Sequence, residues 1–267
     1  MSTTLKSIFG ILTLMLSFYG TQAQETKGKS WSIQFTSGVS LPVGKFSKMD
    51  VNQTISMVEA LGEGYYQWEG FNKNMNNSAE IGFLYTMSIK RQLSGNFHGF
   101  VDYISTQHNV ETDPVRDFYY DTFSFFPTQR LEFRQDNYRF RGLIGGIGYT
   151  QSLGSFFIDF QLGLGYTSLD YPSYSWIVYG TKEGTTGVGS DYANIAPHSN
   201  PTSMALSVIS GVKYPLGNFF IGVDFSFMTA NFEYAVDLRS PGNRPIIRDE
   251  TINYRVLNLG LIVGLRI

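Results

Sequence analysis

Two-residue alternation of large apolar side chains with small or polar ones is the main pattern along this chain. It is clearest in LNLGLIVGLRI, Leu257–Ile267, where leucine, valine or isoleucine occupies every second position. A period of two indicates a β-strand with one apolar face. The alternation is strong in four further segments and weaker in three, which predicts eight strands: Trp31–Val43, Ala79–Lys90, Phe156–Thr167 and Phe219–Phe227, then Phe97–Gln107, Tyr138–Gln151 and Thr202–Tyr214.

Short and long links alternate strictly between these segments. The short links are QLSGN, LGS and PLGN, which contain glycine as hairpins require. The four long links cover about 44–77, 109–136, 169–201 and 231–253. An even number of tilted strands joined in this way predicts an all-β fold, an eight-stranded antiparallel up-and-down transmembrane β-barrel with short periplasmic turns and long extracellular loops. Lipid contains no water to which an unpaired backbone group could hydrogen-bond, so the sheet has to close, and we expect the last strand to pair with the first.

A water-soluble sandwich or a lipocalin-like barrel is the alternative, and it would turn the apolar face inward. Nearly every large side chain in the alternating segments lies on one face, and the other face is mostly Gly, Ser, Thr, Gln and Asp. Such a small, polar face would cover the outside of a soluble barrel poorly and fits a narrow interior instead. One segment, around Gly145 and Gly146, loses the alternation, and a glycine-permitted bulge there would explain the break.

The N-terminal residues predict export. Lys6 precedes an apolar stretch over residues 8–18, and Thr21, Gln22 and Ala23 place small residues before a cleavage point. We interpret residues 1–23 as a signal peptide, with a membrane anchor or a buried helix as the alternative, and residues 24–267 as one barrel domain. Cysteine is absent from the sequence, so neither a disulfide nor a thiolate metal site is predicted.

Charge and composition fit an exported barrel and disfavour nucleic acid as a partner. Without Lys6 the chain carries 19 basic and 22 acidic residues. This slightly acidic balance does not favour binding to a polyanion. The 17 tyrosines, 22 phenylalanines and 28 glycines are typical of an all-β protein that faces lipid.

Three stretches carry a resemblance to a known family: TQAQ at Thr21–Gln24, GVSLPVGKF at Gly38–Phe46, and the terminal LNLGLIVGLRI. With them the chain resembles the small outer-membrane β-barrel proteins of the Bacteroidota type and, more loosely, the transmembrane domain of outer membrane protein A. The resemblance implies a bacterial outer membrane, with its lipid and lipopolysaccharide as surroundings. It implies little about activity, because one barrel fold serves many functions. In the best-known bacterial barrels the final residue is aromatic, whereas here it is Ile267.

Charged residues on the predicted inner face form a candidate lumen network. They are Glu80, Lys90, Asp102, Asp159, Lys213, Asp224 and Arg266. Buried charges must pair or they cost several kcal/mol, so we expect a salt-bridged plug that holds the barrel rigid. A narrow ion path, or a proton or metal site, remains an alternative. Arg139 and Arg141 stay unassigned because the phase of their strand is uncertain.

Aromatic residues on the outer face predict two girdles at the membrane interfaces. The periplasmic girdle would consist of Trp31, Phe97, Phe156, Tyr214 and Phe219. The outer girdle would include Tyr85, Tyr103, Tyr166 and Phe227. Two loop segments, Val115–Phe133 and Tyr171–Gly180, are also aromatic, which indicates either strands that continue above the membrane or a surface that docks a partner.

Signals for catalysis are weak. The chain has three histidines, and one of them, His198, stands beside Ser199 in PHSNPTS. This motif resembles that of a lipid A deacylase, which has one more residue between His and Ser. Adjacent residues on a strand face opposite sides, so the two side chains would not readily share a proton.

The sequence therefore predicts a non-enzymatic barrel without a cofactor, a metal site or catalytic residues. Its role would be structural or surface-binding, or that of an accessory subunit in a larger envelope complex. A narrow ion-conducting pore and a lipid A-modifying hydrolase are the alternatives.

Overall fold

The computed structural model describes residues 30–47, 57–60, 65–68, 79–111, 130–170, 174–179, 190–197, 200–239 and 246–267. The predicted signal peptide lies outside these ranges. The strands are β1 (Trp31–Pro42), β2 (Met57–Ala60), β3 (Tyr65–Trp68), β4 (Ala79–Ser94), β5 (Phe97–Val110), β6 (Arg130–Gln135), β7 (Tyr138–Leu153), β8 (Phe156–Asp170), β9 (Tyr174–Tyr179), β10 (Ser190–Pro197), β11 (Thr202–Leu216), β12 (Phe219–Arg239) and β13 (Ile246–Arg266).

Eight of these strands close into an antiparallel barrel. Around the circuit the order is β1, β4, β5, β7, β8, β11, β12 and β13, and β13 pairs back onto β1. The seam runs in unbroken register from Ser32 opposite Arg266 to Pro42 opposite Val256. The predicted fold, an eight-stranded antiparallel barrel closed by its last strand, is confirmed.

Three two-residue turns join β4 to β5, β7 to β8 and β11 to β12. Each begins with a glycine at positive φ, namely Gly95 (53°), Gly154 (60°) and Gly217 (68°). Other residues adopt this conformation only with strain, which explains the glycine in each predicted hairpin. We call this end of the barrel the turn end and the opposite end, where the long links lie, the loop end.

The predicted bulge in β7 is wrong. β7 keeps a continuous register with β8 from Arg139 opposite Asp170 to Leu153 opposite Phe156. Its even-numbered residues face inward, and both arginines, Arg139 and Arg141, are exposed. The pattern looked broken because Phe140 and Ile144 are large apolar residues on the inner face.

Beyond the circuit, a smaller set of strands extends the sheet at the loop end. β12 and β13 have 21 residues each and stay paired as far as Leu238 opposite Ile246. Near the loop end β12 pairs with β10. β10 in turn pairs with β9, and β9 pairs with β6. Strands therefore do continue within both aromatic links, in residues 130–135 and 174–179, whereas residues 115–129 lie outside the described ranges. A separate hairpin is formed by β2 and β3.

The outer surface of the barrel is apolar. Every strand of the circuit exposes large apolar side chains at alternate positions; Ile147 on β7 is 63% exposed, and Leu261 on β13 is 69% exposed. Towards the loop end the outward residues become polar, as at Asn231 and Glu233 on β12. The strands therefore carry an apolar belt with a polar extension above it. No helix among the described residues has the length and apolar character needed to cross a bilayer.

Candidate functional site

Five of the seven charged residues predicted for the barrel interior are buried there. Each is 8% exposed or less, and they come from five strands of the circuit: Lys90 on β4, Asp102 on β5, Asp159 on β8, Lys213 on β11 and Asp224 on β12. Strand alternation places them inside, since the residues two positions away on the same strand are inward-facing as well. A buried charge is tolerated only when it is compensated, so the partners of each group decide what this interior can do.

Both lysines converge on Asp159. Lys90 Nζ donates to Asp159 Oδ2 at 2.8 Å and Lys213 Nζ to the same oxygen at 2.6 Å. Gln161 Nε2 also donates to Oδ2, at 2.7 Å, while Thr150 Oγ1 donates to Oδ1 at 3.0 Å. β4 and β8 are not neighbours in the circuit, so the bond from Lys90 crosses the lumen. One carboxylate thereby connects four strands.

His98 on β5 belongs to the same centre, although the sequence did not assign it. Its Nε2 lies 3.4 Å from Asp159 Oδ1, and its Nδ1 lies 3.3 Å from Thr150 Oγ1. His98 lies four positions before Asp102 on the same strand and faces the same way. Residues an even number of positions apart on a strand face the same side, and this relation to Asp102 is the signal that would have placed His98 inside the barrel.

Asp102 and Asp224 lie apart from the lysines. Thr36 Oγ1 donates to Asp224 Oδ2 at 3.1 Å, and Gln34 Nε2 donates in turn to Thr36 Oγ1 at 3.2 Å. Among the described residues, Oδ1 of Asp102 has no hydrogen-bond partner. The structure therefore divides the predicted network into an Asp159 centre, which holds both ammonium groups, and two acids without such a partner.

A small cavity lies between these two acids. Its volume is ≈ 20 Å³, which is room for about one water molecule. Two carboxylates, three amides, two hydroxyls and three apolar side chains line it: Asp102 and Asp224, Gln34, Gln161 and Asn258, Thr86 and Ser226, and Leu84, Ile104 and Ile209.

Towards the loop end large apolar and aromatic side chains fill much of the interior, which corrects the expectation of a mostly small and polar inner face. After β1 the chain turns at Gly44 (φ +67°) into a short 3-10 turn, Gly44–Phe46, and Phe46 becomes fully buried. The Phe46 ring lies 4.9 Å from that of Tyr254 and 5.3 Å from that of Tyr138. Phe140 stacks on Tyr254 at 4.3 Å. These rings fill the barrel below the loops.

At the turn end a second group of side chains closes the interior. Phe220 is 3% exposed, and its ring lies 5.4 Å below the ammonium group of Lys213. Arg266 lies at the mouth, with its guanidinium 4.5 Å from the Phe157 ring and 6.0 Å from the Phe220 ring. Arg266 is exposed and stacks on aromatic rings, so the structure does not bring it into the Asp159 centre.

The prediction that Glu80 points into the lumen is wrong. The pairing of β4 with β5 is irregular between Ala79 and Gly82, and as a result Glu80 and Ile81 are both exposed. The irregularity shifts the phase of β4 at its loop end. Glu80 still contributes its backbone carbonyl, which lies 3.0 Å from His108 Nδ1.

A serine and a histidine do meet inside the barrel, at a place that the sequence did not indicate. Ser40 Oγ lies 3.3 Å from His108 Nε2. Both side chains are fully buried, and the ring of Phe46 covers His108 at 5.4 Å. A nucleophile needs access to its substrate as well as a base, and this pair is sealed from solvent. The sequence candidates His198 and Ser199 lie outside the described residues.

All five residues of the predicted periplasmic girdle lie on the outer surface at the turn end. They are exposed by 41–58%: Trp31, Phe97, Phe156, Tyr214 and Phe219. Phe156 and Tyr214 are ring neighbours at 5.4 Å. Of the residues predicted for the outer girdle, Tyr85, Tyr103 and Tyr166 are exposed as well, and Phe227 is partly buried.

Within the part of the chain that the structure describes, no three His, Cys, Asp or Glu side chains come together as metal ligands. The cavity between Asp102 and Asp224 has two carboxylates in its lining, and its other polar groups are three amides and two hydroxyls.

No family model matches the chain, and no curated protein matches it. Solved structures of small outer-membrane barrels are similar to it at low sequence identity. Neisserial surface protein A is 12% identical over 90% of this chain and 99% of its own, with a TM-score of 0.40. The Yersinia pestis attachment invasion locus protein, solved with the heparin analogue sucrose octasulfate, is 9% identical over 90% and 99%, with a TM-score of 0.38. A major outer membrane protein from Thermus thermophilus is 10% identical over 90% and 100%, with a TM-score of 0.44.

Proposed function

We propose that this chain is an integral barrel of a bacterial outer membrane. The apolar belt supports the proposal, because soluble proteins rarely expose apolar patches larger than a few hundred Å² and this belt surrounds the whole barrel. On β13 the outward apolar residues run from Leu257 to Leu265. At about 3.3 Å per residue and a tilt of about 40°, they span roughly 20 Å along the membrane normal, close to the thickness of an outer-membrane apolar band.

The orientation we propose places the turn end in the periplasm. Short turns on that side, with the exposed aromatic residues just above them, match the periplasmic margin of outer-membrane barrels. The loop end, with its polar strand extension, would then face outward, towards lipopolysaccharide. The predicted signal peptide and the resemblance to Bacteroidota-type barrels support location in an outer membrane.

Within that membrane we propose a non-enzymatic and non-conducting role. One observation carries this proposal: buried aromatic side chains pack inside the barrel towards both of its ends. Phe46, Phe140 and Tyr254 fill the loop end, and Phe220 fills the turn end. The Asp159 centre between them connects strands across the lumen. An interior packed in this way favours a rigid scaffold over an ion path.

The strand extension at the loop end supports a surface-binding or accessory-subunit role. β12 and β13 rise beyond the apolar belt and carry β10, β9 and β6 as additional strands. A sheet above the membrane would offer a defined binding surface to a partner in a larger envelope complex. The slightly acidic balance of the chain still disfavours nucleic acid.

Conductance in planar bilayers tests the closed interior. Purified protein would be inserted at known density, with heat-dependent gel mobility used to verify that the barrels are folded. We expect no stepwise current in 1 M KCl. Discrete current steps that scale with the amount of folded protein would overturn the closed interior and favour the pore.

Two further experiments separate the remaining roles. Mass spectrometry of lipid A from cells with and without the gene should give identical spectra; a lost acyl chain would favour the hydrolase. A tagged pull-down in mild detergent would compare the full chain with a variant in which residues 171–200 are replaced by a short glycine-rich link. A stoichiometric partner that only the full chain retains would identify an accessory subunit that docks through the extension.

A further inference from the structure

We propose that the interior cavity between Asp102 and Asp224 binds one small monovalent cation, of the size of sodium, through carboxylate and amide oxygens. The proposal goes beyond the role of the barrel in the membrane. It rests on the unpaired oxygens of the cavity, on the way its amides are oriented, and on the charge inside the barrel.

Four oxygen atoms of the residues that line the cavity have no hydrogen-bond partner among the described residues. They are Asp102 Oδ1, Gln34 Oε1, Gln161 Oε1 and Asn258 Oδ1. All four side chains are deeply buried, at 1%, 4%, 6% and 1% exposure. A buried acceptor left without a donor costs about 1–3 kcal/mol, so four of them on residues that line one small cavity indicate a bound species that donates to them or coordinates them.

The amide oxygens are oriented by the bonds that the amide nitrogens make. Gln161 Nε2 donates to the Asp159 carboxylate, which can only accept, so the Gln161 oxygen must point the other way. Gln34 Nε2 donates to Thr36 Oγ1, whose own proton is directed to Asp224. Asn258 Nδ2 donates to Ser226 Oγ at 3.0 Å. The nitrogens are therefore used by the surrounding network, and the oxygens are left for the cavity.

Among the described residues that are buried in the interior, carboxylates outnumber ammonium groups by one. Three carboxylates, those of Asp102, Asp159 and Asp224, face two ammonium groups. We count His98 as neutral, since two ammonium groups already share the carboxylate that it faces. Both ammonium groups are bonded to Asp159, so the uncompensated charge belongs to the two acids at the cavity. One positive charge there would neutralise the interior.

The chemistry of the ligands selects the type of cation. Carboxylate and amide oxygens suit hard cations, and the cavity offers neither sulfur nor nitrogen ligands among its lining residues. A divalent ion would leave the interior with an excess of buried positive charge, which is costly. A volume of ≈ 20 Å³ excludes an organic ammonium ion. A water molecule alone could donate to two of the four oxygens and would leave the charge unbalanced.

The test compares the full-length protein refolded into lipid nanodiscs in sodium chloride and in choline chloride at equal ionic strength. Refolding in each salt lets the ion enter before the ends of the barrel close. We expect a higher urea midpoint in sodium chloride, because a ligand that binds only the folded state stabilises it. We also expect the folded protein to retain a stoichiometric amount of sodium after transfer to choline chloride, measured by atomic emission, because an ion trapped by the closed ends does not exchange. Equal midpoints together with no retained sodium would overturn the proposal in favour of water or a proton shared by the two acids.

Variants then place the ion. Asp102→Asn should abolish the difference between the two salts, whereas Asp170→Asn should keep it, because Asp170 pairs with Arg141 on the outer surface at 2.9 Å. Gln34→Met, which removes one oxygen at similar volume, should weaken sodium binding by about tenfold, the value of one hydrogen bond to a charge. If Asp102→Asn does not fold, the Gln34 variant decides the location. Sodium affinity unchanged in the variants that fold would place the ion elsewhere and overturn the assignment.

Discussion

The hydroxyl of Thr36 donates a 3.1 Å hydrogen bond to Asp224 over the inner face of the strand that separates them. Thr36 lies on β1 and Asp224 on β12, and β13 runs between those two strands. The residue of β13 at this level is Gly260, which is paired with Asp224 in the sheet. The bond is possible because Gly260 has no side chain.

Replacement of Gly260 by alanine should therefore destabilise the barrel. A Cβ at position 260 would overlap Thr36 Cγ2 and would lie 3.0 Å from Asp224 Oδ1. Overpacking of this kind typically costs about 1–3 kcal/mol. We expect a loss of that size in the free energy of unfolding, measured by urea titration in lipid vesicles.

Gly99→Ala is the matched control for that variant. A Cβ at position 99 would meet its nearest atom, Leu93 Cδ1, at 3.7 Å, an ordinary contact, and the residue also lies within a strand. Its unfolding free energy should stay close to that of the wild type. Equal losses in both variants would mean that glycine is required for backbone reasons and not for the close approach of Thr36 to Asp224.

Removing one charge from the Asp159 centre should reduce the free energy of unfolding much more than replacing all of its charged groups by apolar ones. Asp159→Asn leaves the ammonium groups of Lys90 and Lys213 facing each other without a carboxylate, which should cost about 3–5 kcal/mol. Replacing all three groups by apolar residues, as Asp159→Leu with Lys90→Met and Lys213→Met, should cost less, since no charge remains uncompensated. Unfolding free energies of the two variants in the same lipid give the comparison.

The exposed pair of Arg141 and Asp170 provides the control for this comparison. Its side chains are 47% and 30% exposed, and surface pairs of this kind contribute about 0–1 kcal/mol. Asp170→Asn should therefore have little effect on stability. A triple apolar variant less stable than Asp159→Asn would show that the centre contributes through specific hydrogen bonds and not through charge balance.

The outer surface could be predicted from sequence, while the filling of the interior could be predicted only in part. Outward residues such as Leu257, Leu259 and Leu261 alternate because lipid imposes one requirement on every strand. The interior imposes several requirements, since its volume must be filled by side chains and its buried charges must be compensated. In β5, Phe100, Asp102 and Ile104 share the inner face, and nothing in their spacing shows which of them lie near a charge on another strand.

Features that the periodicity of one strand does not encode explain the remaining errors. Glu80 turned outward because of an irregular pairing with β5, and an irregularity of this kind depends on both strands. Phe46 entered the barrel because the chain reverses at Gly44 after β1, a segment that the pattern had assigned to a loop. His98 on β5 joined Asp159 on β8 across the intervening strand β7, and a single strand's periodicity cannot specify such a partner.

Phe46→Ala tests the aromatic group that fills the loop end. Phe46 is fully buried against Tyr254, Tyr138 and His108, and truncation of a buried phenylalanine costs about 3–5 kcal/mol. Urea unfolding in lipid should show a loss in this range. Phe225→Ala, which removes a ring that is 50% exposed on the outer face, should cost less. A similar loss of unfolding free energy in both variants would mean that Phe46 does not pack in the barrel mouth.

The Phe46→Ala variant should still not conduct in planar bilayers, because Phe140 remains stacked on Tyr254 and Phe220 still fills the turn end.

The loss of unfolding free energy caused by a charged substitution on the outer face should depend on how deep the position lies in the apolar belt. Leu162 is 53% exposed near the middle of β8, and Leu162→Arg would place a guanidinium in lipid, at a cost of roughly 2–4 kcal/mol. Asn231 also faces outward, on β12, but beyond the apolar residues of that strand, so Asn231→Arg should cost about 0–1 kcal/mol. Unfolding free energies in bilayers of defined thickness would measure both, and thinner bilayers should reduce the cost at Leu162. Equal costs at the two positions would indicate that lipid does not surround the belt, and the barrel would then have to bury this surface against protein.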